Sequence, residues 1–311
     1  MKKTAKTLLW NAAAFLTVLA TPALAFASAP AEIIGQPTPD ELGLQPAATP
    51  MKERMIDFHD HLLLPITVVI AAFVMFLLVF VMVRFNARAN PVPSKTTHNF
   101  ALEVIWTLVP VLILVVVVIP SMKLLYYADR VSPKDADMTL KVIGHQWYWE
   151  YEYPDNGGFN FLSNLIKDKD IDKSKGQVRL LSTDNPVVLP VDSNIRILIA
   201  ATDVIHSWGI PAFGVKTDAV PGRTNETWVR IDKEGTFYGQ CSQLCGEGHG
   251  FMPIEIKAVS KAEFAKWVHS QQGGTMPGDP VKGASNDAKP APAAAAKPAP
   301  TKKEEKAGDT K

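Results

Sequence analysis

The densest run of potential metal ligands in the chain is Cys-Ser-Gln-Leu-Cys-Gly-Glu-Gly-His-Gly-Phe-Met, at residues 241–252. Its donors are spaced four, four and three residues apart: Cys241, Cys245, His249 and Met252. A further imidazole, His206, lies 35 residues before the first cysteine. Thiolate, imidazole and thioether groups form a soft ligand set that favours copper or zinc over magnesium and calcium. The thioether favours copper, because protein zinc sites use cysteine, histidine and carboxylate ligands.

The chain contains two cysteines, one more than a mononuclear blue-copper site uses. Two bridging thiolates would instead hold two copper ions close together, an arrangement that suits rapid one-electron transfer. The alternative is a disulfide bond, which is common for cysteine pairs in exported proteins. We favour metal binding because His249 and Met252 follow at loop spacing. The cysteine count excludes a disulfide-rich scaffold and a four-cysteine metal site, and no Cys-x-x-Cys-His motif for attached haem occurs.

Three apolar stretches precede this region. Residues 1–29 combine lysines, a short apolar run and small residues, which predicts a cleaved signal peptide. Leu62–Val83 and Val104–Met122 carry no charge and are long enough to span a bilayer as helices, with buried helices of a soluble core as the alternative. Residues 84–99, between the two stretches, include no acidic residue and are predicted to be cytoplasmic because they carry Arg84, Arg88 and Lys95.

Short β-prone runs separated by turn residues follow the second apolar stretch and predict an all-β sandwich or barrel. The candidate strands are Met138–Ile143, Val178–Leu181, Pro186–Pro190, Asn194–Ala200, Thr227–Ile231, Thr236–Tyr238 and Ile254–Val259. Asp155–Lys175 is expected to be a long surface connection. Ser260 and Glu263 form a capping-box pattern that predicts a helix over Lys261–Ser270.

The predicted organisation has five parts: a signal peptide (1–29), an external N-terminal segment (30–61), a transmembrane hairpin (62–127), a β domain (128–270) and a disordered Ala/Pro/Lys-rich tail (271–311). The whole chain has a formal net charge of +1, but residues 128–270 carry a net charge of −3. This balance argues against nucleic-acid binding and favours a basic protein partner for the β domain.

The pattern CSxxCGxxHxxM, together with DVIHSW, KTDAVPGR and GHQWYWEYEY upstream, resembles subunit II of the haem–copper cytochrome c oxidases, and the bacterial aa3-type members most nearly. The resemblance implies a two-helix transmembrane hairpin followed by an all-β cupredoxin-like Greek-key sandwich. It also implies a dinuclear copper centre, CuA, and no haem in this chain. The implied ligands are Cys241 and Cys245 as bridges, His206 and His249 as terminal ligands, Met252 on one copper, and the backbone carbonyl of Gln243 on the other.

The same resemblance implies roles for residues outside the run 241–252, which we call the copper loop. Trp147 matches the electron entry point, and Glu103 matches the entrance of a proton path into subunit I. The acids that match positions associated with cytochrome c docking are Glu152, Asp184, Asp203 and Asp218. Their joint role predicts that cytochrome c oxidation slows as the salt concentration rises.

Gln243 departs from the family pattern, which usually has glutamate at this position, where its carboxylate also ligates a magnesium ion shared with subunit I. An amide is a poorer ligand for a hard cation, so we expect a weakened or rearranged magnesium site. The carbonyl contact to copper does not depend on the side chain.

The sequence therefore predicts the electron-entry subunit of a respiratory oxidase. It takes electrons from cytochrome c and passes them to haem in subunit I, where O2 is reduced to water and protons are pumped. Its partners are subunit I, the other oxidase subunits and the membrane. The predicted location is the bacterial inner membrane, with the N-terminus and β domain in the periplasm. The alternatives are a quinol oxidase subunit II, which lacks the copper ligands, and a copper-delivery assembly factor.

Overall fold

The computed structural model describes residues 35–129 and 134–272. The predicted signal peptide at 1–29 lies outside these residues, as does the predicted tail apart from its first two residues. The described chain consists of two long apolar helices, a β-sandwich and a short C-terminal helix.

The two long helices are α1 (Pro50–Arg84) and α2 (Phe100–Asp129). Thr49 caps the start of α1 by accepting a hydrogen bond from the backbone N–H of Lys52 at 3.0 Å. Leu64–Arg84 of α1 and most of α2 are apolar on every side, and these apolar stretches are exposed rather than packed against the rest of the chain. A helix of this length without a polar face is typical of a membrane span. Both predicted spans lie within these helices.

Ten strands in the described part of the chain form two five-stranded sheets. The first sheet has the order β3 (Phe159–Ser163), β2 (Tyr148–Tyr153), β1 (Met138–His145), β5 (Asn194–Ala201) and β8 (Asn225–Arg230). The second has the order β4 (Val187–Pro190), β10 (Pro253–Val259), β9 (Gly235–Cys241), β6 (His206–Ile210) and β7 (Val215–Ala219). Neighbouring strands are antiparallel, except for the parallel pairs β1–β5 and β4–β10.

The core lies between the two sheets. Buried and partly exposed residues alternate along β1, β2 and β5, so each of these strands turns one face to the core and the other to solvent. Strands β4 and β6 are buried along their whole length. The largest side chains in this core include Trp149, Trp208 and Phe237. The result is the cupredoxin-like sandwich that the sequence predicts.

The helices contact the sandwich through aromatic and backbone groups. The ring of Tyr127, near the end of α2, packs edge-on against Trp228 of β8, with ring centroids 5.4 Å apart. The Trp228 indole N–H donates to the carbonyl of Tyr127 at 2.9 Å. The segment before α1 is attached separately, because the backbone N–H of Ala48 donates to the carbonyl of Ala212 at 3.0 Å.

Two predictions about the β domain were wrong. Val178–Leu181 is a turn rather than a strand: the N–H groups of Leu181 and Ser182 both donate to the carbonyl of Val178, and Leu180 has a left-handed φ of 64°. Asp155–Lys175 is not only a connection, because it contains β3. That short strand is stabilised by aromatic stacking of Phe159 on Tyr153 of β2, with centroids 4.9 Å apart.

The sequence also missed β2, β6 and β7. The other six predicted strands are confirmed, and so is the C-terminal helix α3 (Lys261–Gln271) with its capping box. Ser260 and Glu263 make both of the reciprocal hydrogen bonds that define this motif.

Candidate metal centre

Strand pairing brings His206 next to Cys241. His206 is the first residue of β6 and Cys241 is the last residue of β9. These strands are antiparallel neighbours, with Trp208 opposite Cys241, so the start of β6 lies beside the end of β9. The N–H of Ser242 donates to the carbonyl of Ser207 at 3.0 Å and extends this pairing into the loop. Two distant parts of the sequence therefore meet at one end of the second sheet.

The two thiols lie between two imidazoles. The sulfur atoms of Cys241 and Cys245 are 3.9 Å apart, and both side chains are buried and free. Nδ1 of His206 lies 3.9 Å from the sulfur of Cys241, and Nδ1 of His249 lies 3.5 Å from the sulfur of Cys245. Each thiol thus lies beside an imidazole.

Two further donors complete the cluster. The sulfur of Met252 lies 3.6 Å from the sulfur of Cys245. The backbone carbonyl of Gln243 lies 3.3 Å from the sulfur of Cys241, while the Gln243 side chain is exposed. The predicted ligand set is therefore assembled at a single site, and the exposed amide remains outside it.

The chemistry of the donor set fits copper. A sulfur separation of 3.9 Å is far longer than a disulfide bond of about 2.05 Å. It is also short enough for one ion, at a metal–sulfur distance of about 2.3 Å, to contact both sulfurs. Side-chain donor atoms of His206, Cys241 and Cys245 all lie within 4.8 Å of one another. Soft sulfur with imidazole, in a buried position, is the environment that copper prefers.

Asp203 holds the His206 ring in this orientation. Its Oδ1 accepts a hydrogen bond from Nε2 of His206 at 2.8 Å, so Nδ1 faces the cysteine. The same carboxylate accepts from the backbone N–H groups of Gln146 and Val204, both at 2.6 Å. Gly144 of β1 leaves the space for the ring, because a Cβ there would lie 2.9 Å from Cδ2 of His206.

Burial and hydrogen bonding give the two thiols opposite acidities. Burial alone would raise the pKa of Cys241, but its contacts with His206 and with backbone groups outweigh burial and lower that pKa. Burial raises the pKa of Cys245, and the neighbouring Cys241 thiolate raises it further. Burial opposes the protonated form of His206, yet hydrogen bonds to Cys241 and Asp203 raise its pKa. Cys241 is therefore the more acidic of the two thiols.

Trp147 lies against the copper loop and remains 36% exposed. Its indole N–H donates to the backbone carbonyl of Cys245 at 3.2 Å. The loop can approach this ring closely because residues 246 and 248 are glycines: a Cβ on either would press against the indole, and Gly246 has a φ of 117°. Trp149, two residues later, is fully buried and donates to the carbonyl of Met252 at 3.2 Å.

The four predicted docking acids have different surroundings. Asp203 is engaged by His206 as described above, and Glu152 forms an ion pair with Lys141 at 2.7 Å. Asp184 accepts hydrogen bonds from Asn164, with the backbone N–H at 2.7 Å. The Asp218 side chain is exposed at the position opposite Ser207 in the β6–β7 pair, one residue from His206.

Glu103 is separate from this site. It lies in the first turn of α2, where its backbone carbonyl accepts a hydrogen bond from the Thr107 hydroxyl at 2.8 Å.

Sequence reasoning missed two residues that support the copper loop. The side-chain amide of Gln146 donates to the carbonyl of Cys245 at 2.8 Å, beside the indole of Trp147. Asp203 was expected to serve docking alone, although it positions His206. The one available signal for Asp203 was its place three residues before a candidate ligand, which suits a hydrogen bond to the outer imidazole nitrogen.

Comparison with known families gives two adjoining matches. The model of the cytochrome c oxidase subunit II transmembrane domain matches residues 37–124, and that of the periplasmic domain matches residues 138–259. A Rickettsia bellii protein named "Probable cytochrome c oxidase subunit 2" is 49% identical over 251 residues, which are 81% of this chain and 91% of that protein. Cytochrome c oxidase subunit 2 of Oenothera berteroana is 46% identical over 235 residues, 74% of this chain and 90% of its own.

Among solved structures, the periplasmic domain of subunit II of cytochrome oxidase from Bradyrhizobium japonicum is 53% identical to the matching part of this chain. The match covers 44% of this chain and 95% of that domain, with a TM-score of 0.41.

Proposed function

The chain belongs to the cytochrome c oxidase subunit II family, and from this premise we propose that it accepts single electrons from cytochrome c at a dinuclear copper centre and passes them to haem in subunit I. As a subunit of a haem–copper oxidase it works with other oxidase subunits. Reduction of O2 to water and proton pumping would take place in the complex rather than in this chain.

One observation carries the proposal: two buried free cysteine sulfurs, 3.9 Å apart, are flanked by two imidazoles. Cys241 and Cys245 would bridge two copper ions, and His206 and His249 would each bind one of them. Met252 and the backbone carbonyl of Gln243 would be the weaker ligands. When bound, the copper pair supplies a site that gains and loses one electron with little change of geometry. The hydrogen bond that His206 donates to Asp203, and those that Gln146 and Trp147 donate to the Cys245 carbonyl, would keep the protein ligands in place.

Electron entry is assigned to Trp147. Its ring is exposed enough to meet a docked donor, and its hydrogen bond to the Cys245 carbonyl links the ring directly to a bridging ligand. The β domain's net charge of −3 suits a basic donor such as cytochrome c. Exposed Asp218 and Asp184 would contribute to this attraction, with Asp203 and ion-paired Glu152 adding to the same field.

Glu103 is proposed as the entrance of a proton path into subunit I. A carboxylate at the edge of an apolar helix is a functional candidate, because an ionisable group at membrane depth is energetically costly and therefore rare without a function. The basic loop between the helices supports a cytoplasmic position for the start of α2 in the bacterial inner membrane, and the β domain would then be periplasmic. Protons would thus enter on the side opposite to the copper centre.

Magnesium binding is proposed to be weak. The side chain of Gln243 is exposed in the copper loop. A neutral amide binds a hard cation more weakly than a carboxylate does.

The proposal is tested in the purified oxidase by replacing one bridging ligand, Cys245→Ser. We expect the variant to lose copper and to lose cytochrome c oxidation. A small reductant that delivers electrons directly to the haem of subunit I should still support oxygen consumption. Loss of both activities with an unassembled complex would instead mean that the cysteine is structural. Unchanged cytochrome c oxidation would contradict electron entry through this site.

A further inference from the structure

A cavity of about 370 Å³ lies between the N-terminal segment and the second sheet, and the two chain neighbours of Cys241, Gln240 and Ser242, are among its lining residues. Gln45, Lys52 and Met55 line it from the side of the segment and α1. Ile210, Lys216 and Tyr238 line it from the sheet. Its walls are mostly apolar, and the polar side chains among its lining residues are those of Gln45, Lys52, Lys216, Tyr238, Gln240 and Ser242. Neither electron transfer nor the proposed proton path uses it.

Lys52 is an unusual residue for such a wall. It is only 6% exposed, although it carries an ammonium group. Its backbone N–H is satisfied by the Thr49 hydroxyl, but its side chain makes no hydrogen bond or ion pair with any residue in 35–129 or 134–272. Burial lowers the pKa of Lys52, and attraction by the more distant Glu41 carboxylate only partly offsets this effect. Burying an ammonium group without a partner costs free energy, and an anion bound next to it would offset that cost.

Gln45, which lines the cavity, also has a polar atom without a partner. The side-chain oxygen of Gln45 is buried and makes no hydrogen bond within the described chain. Rotation of this amide by half a turn would present its NH2 group in the same place, so Gln45 can serve as a donor or an acceptor. Lys216 of β7 brings a second positive charge to the opposite wall.

We propose that this cavity binds a carboxylate group on a short apolar body, with Lys52 as its counter-ion. The ammonium would pair with the carboxylate, Gln45 and Lys216 would bind its remaining lone pairs, and the apolar walls would cover its carbon chain. Two sources offer this chemistry: a small organic acid in solution, or an Asp or Glu side chain of a neighbouring oxidase subunit. The copper-loop residue Ser242 lies at the edge of the cavity, so occupancy would also brace the start of that loop.

The first arm of the test measures binding of a free acid to the purified oxidase. The thermal unfolding temperature of this chain is followed as sodium butyrate replaces sodium chloride at constant ionic strength. We expect a saturable rise in the wild type and in Lys266→Met, which removes an exposed lysine of α3. The rise should be absent in Lys52→Met. Because methionine matches the length of lysine without its charge, Lys52→Met should unfold no earlier than the wild type without butyrate.

The second arm detects a carboxylate supplied by a neighbouring subunit. In that case butyrate has no effect on the wild type, and Lys52→Met is released from the oxidase at lower salt than Lys266→Met. Gln45→Glu serves both arms, because it places a carboxylate inside the cavity. It should abolish the butyrate response or weaken retention of the chain in the complex, while the unfolding temperature stays the same or rises. The proposal is overturned if Lys52→Met matches Lys266→Met in both measurements.

Discussion

Oδ1 of Asp203 lies 2.8 Å from Nε2 of His206, and this contact leaves Nδ1 of the imidazole facing the sulfur of Cys241. The carboxylate is itself fixed by two backbone N–H groups, so it cannot turn away without losing them. An acid that the sequence assigns to partner docking therefore has a positioning role at the metal centre.

The Asp203 carboxylate orients the imidazole of His206 and strengthens it as a ligand, and Asp203→Asn removes the negative charge responsible for both effects. We expect copper affinity to fall by about 10–100-fold, the usual effect of losing an outer hydrogen-bond partner of a ligating histidine. The measurement is a competition titration with a copper chelator on the oxidase. Asp218→Asn, which removes an exposed acid nearby, is the matched control and should leave the affinity unchanged. Equal affinities for both variants and the wild type would argue against the positioning role.

Trp147→Phe keeps an aromatic ring but removes the N–H that bonds to the Cys245 carbonyl. We expect the rate of electron transfer from cytochrome c to fall by at least about tenfold, corresponding to a barrier about 1.4 kcal/mol higher. Stopped-flow mixing of reduced cytochrome c with the oxidase measures this rate. Phe251→Leu removes an exposed aromatic ring of the copper loop and should leave the rate near that of the wild type. A similar loss in both variants would indicate a general effect on the loop.

Gln243→Glu introduces a carboxylate into the copper loop, at the position where the family usually has glutamate. We expect the variant to retain magnesium through dialysis against a chelator that removes it from the wild type, because a carboxylate binds a hard cation better than an amide does. Copper content should not change, since the proposed copper contact is the backbone carbonyl. Gln243→Ala should likewise keep its copper. Metal analysis of the purified oxidase gives both results, and stoichiometric, tightly held magnesium in the wild type would contradict the prediction.

Glu255 makes stability depend on pH through burial. Its Oε2 accepts a hydrogen bond from the N–H of Thr183 at 2.6 Å, but burial outweighs this contact and raises its pKa. The raised pKa means that ionisation is less favourable in the folded state. The free energy of unfolding therefore decreases as the pH rises from the unfolded value of about 4.3 through the raised pKa.

Glu255→Gln removes this ionisation and keeps an oxygen for Thr183. We expect the variant to unfold at a higher temperature than the wild type at pH 8, with the difference disappearing near pH 4, where both side chains are neutral. Thermal unfolding of the oxidase at the two pH values measures this difference in unfolding temperature. Glu234→Gln, at an exposed position, should show no such pH-dependent difference. A gain that is the same at both pH values would rule out ionisation as the cause.

The ligand loop was predictable because its four side-chain donors lie within twelve consecutive residues. His206 was harder to assign, since only the antiparallel pairing of β6 with β9 brings it to Cys241, and β6 was not among the predicted strands. That strand is buried along its whole length, so it lacks the alternation of polar and apolar residues that marks a half-exposed strand.

Other differences have similar local causes. Val178–Leu181 is rich in β-prone residues, but its hydrogen bonds close a turn and Leu180 adopts a left-handed conformation, neither of which composition reveals. Strand β3 lies in a polar stretch, and its Phe159 stacks on Tyr153 and contacts the distant Trp267 edge-on. The two apolar helices could be predicted without knowledge of such contacts, because the length of each apolar stretch and its lack of charge are sufficient evidence.

The central claim is that Cys241 and Cys245 bridge two copper ions that share one electron. All but one of the residues in the buried core lie between positions 138 and 264, so we expect residues 128–272 to fold on their own. Electron paramagnetic resonance of this domain after addition of copper is the most direct test. The account predicts a purple protein whose spectrum shows hyperfine coupling to two equivalent copper nuclei. A blue protein with coupling to a single copper nucleus, or a colourless protein with a Cys241–Cys245 disulfide, would contradict it.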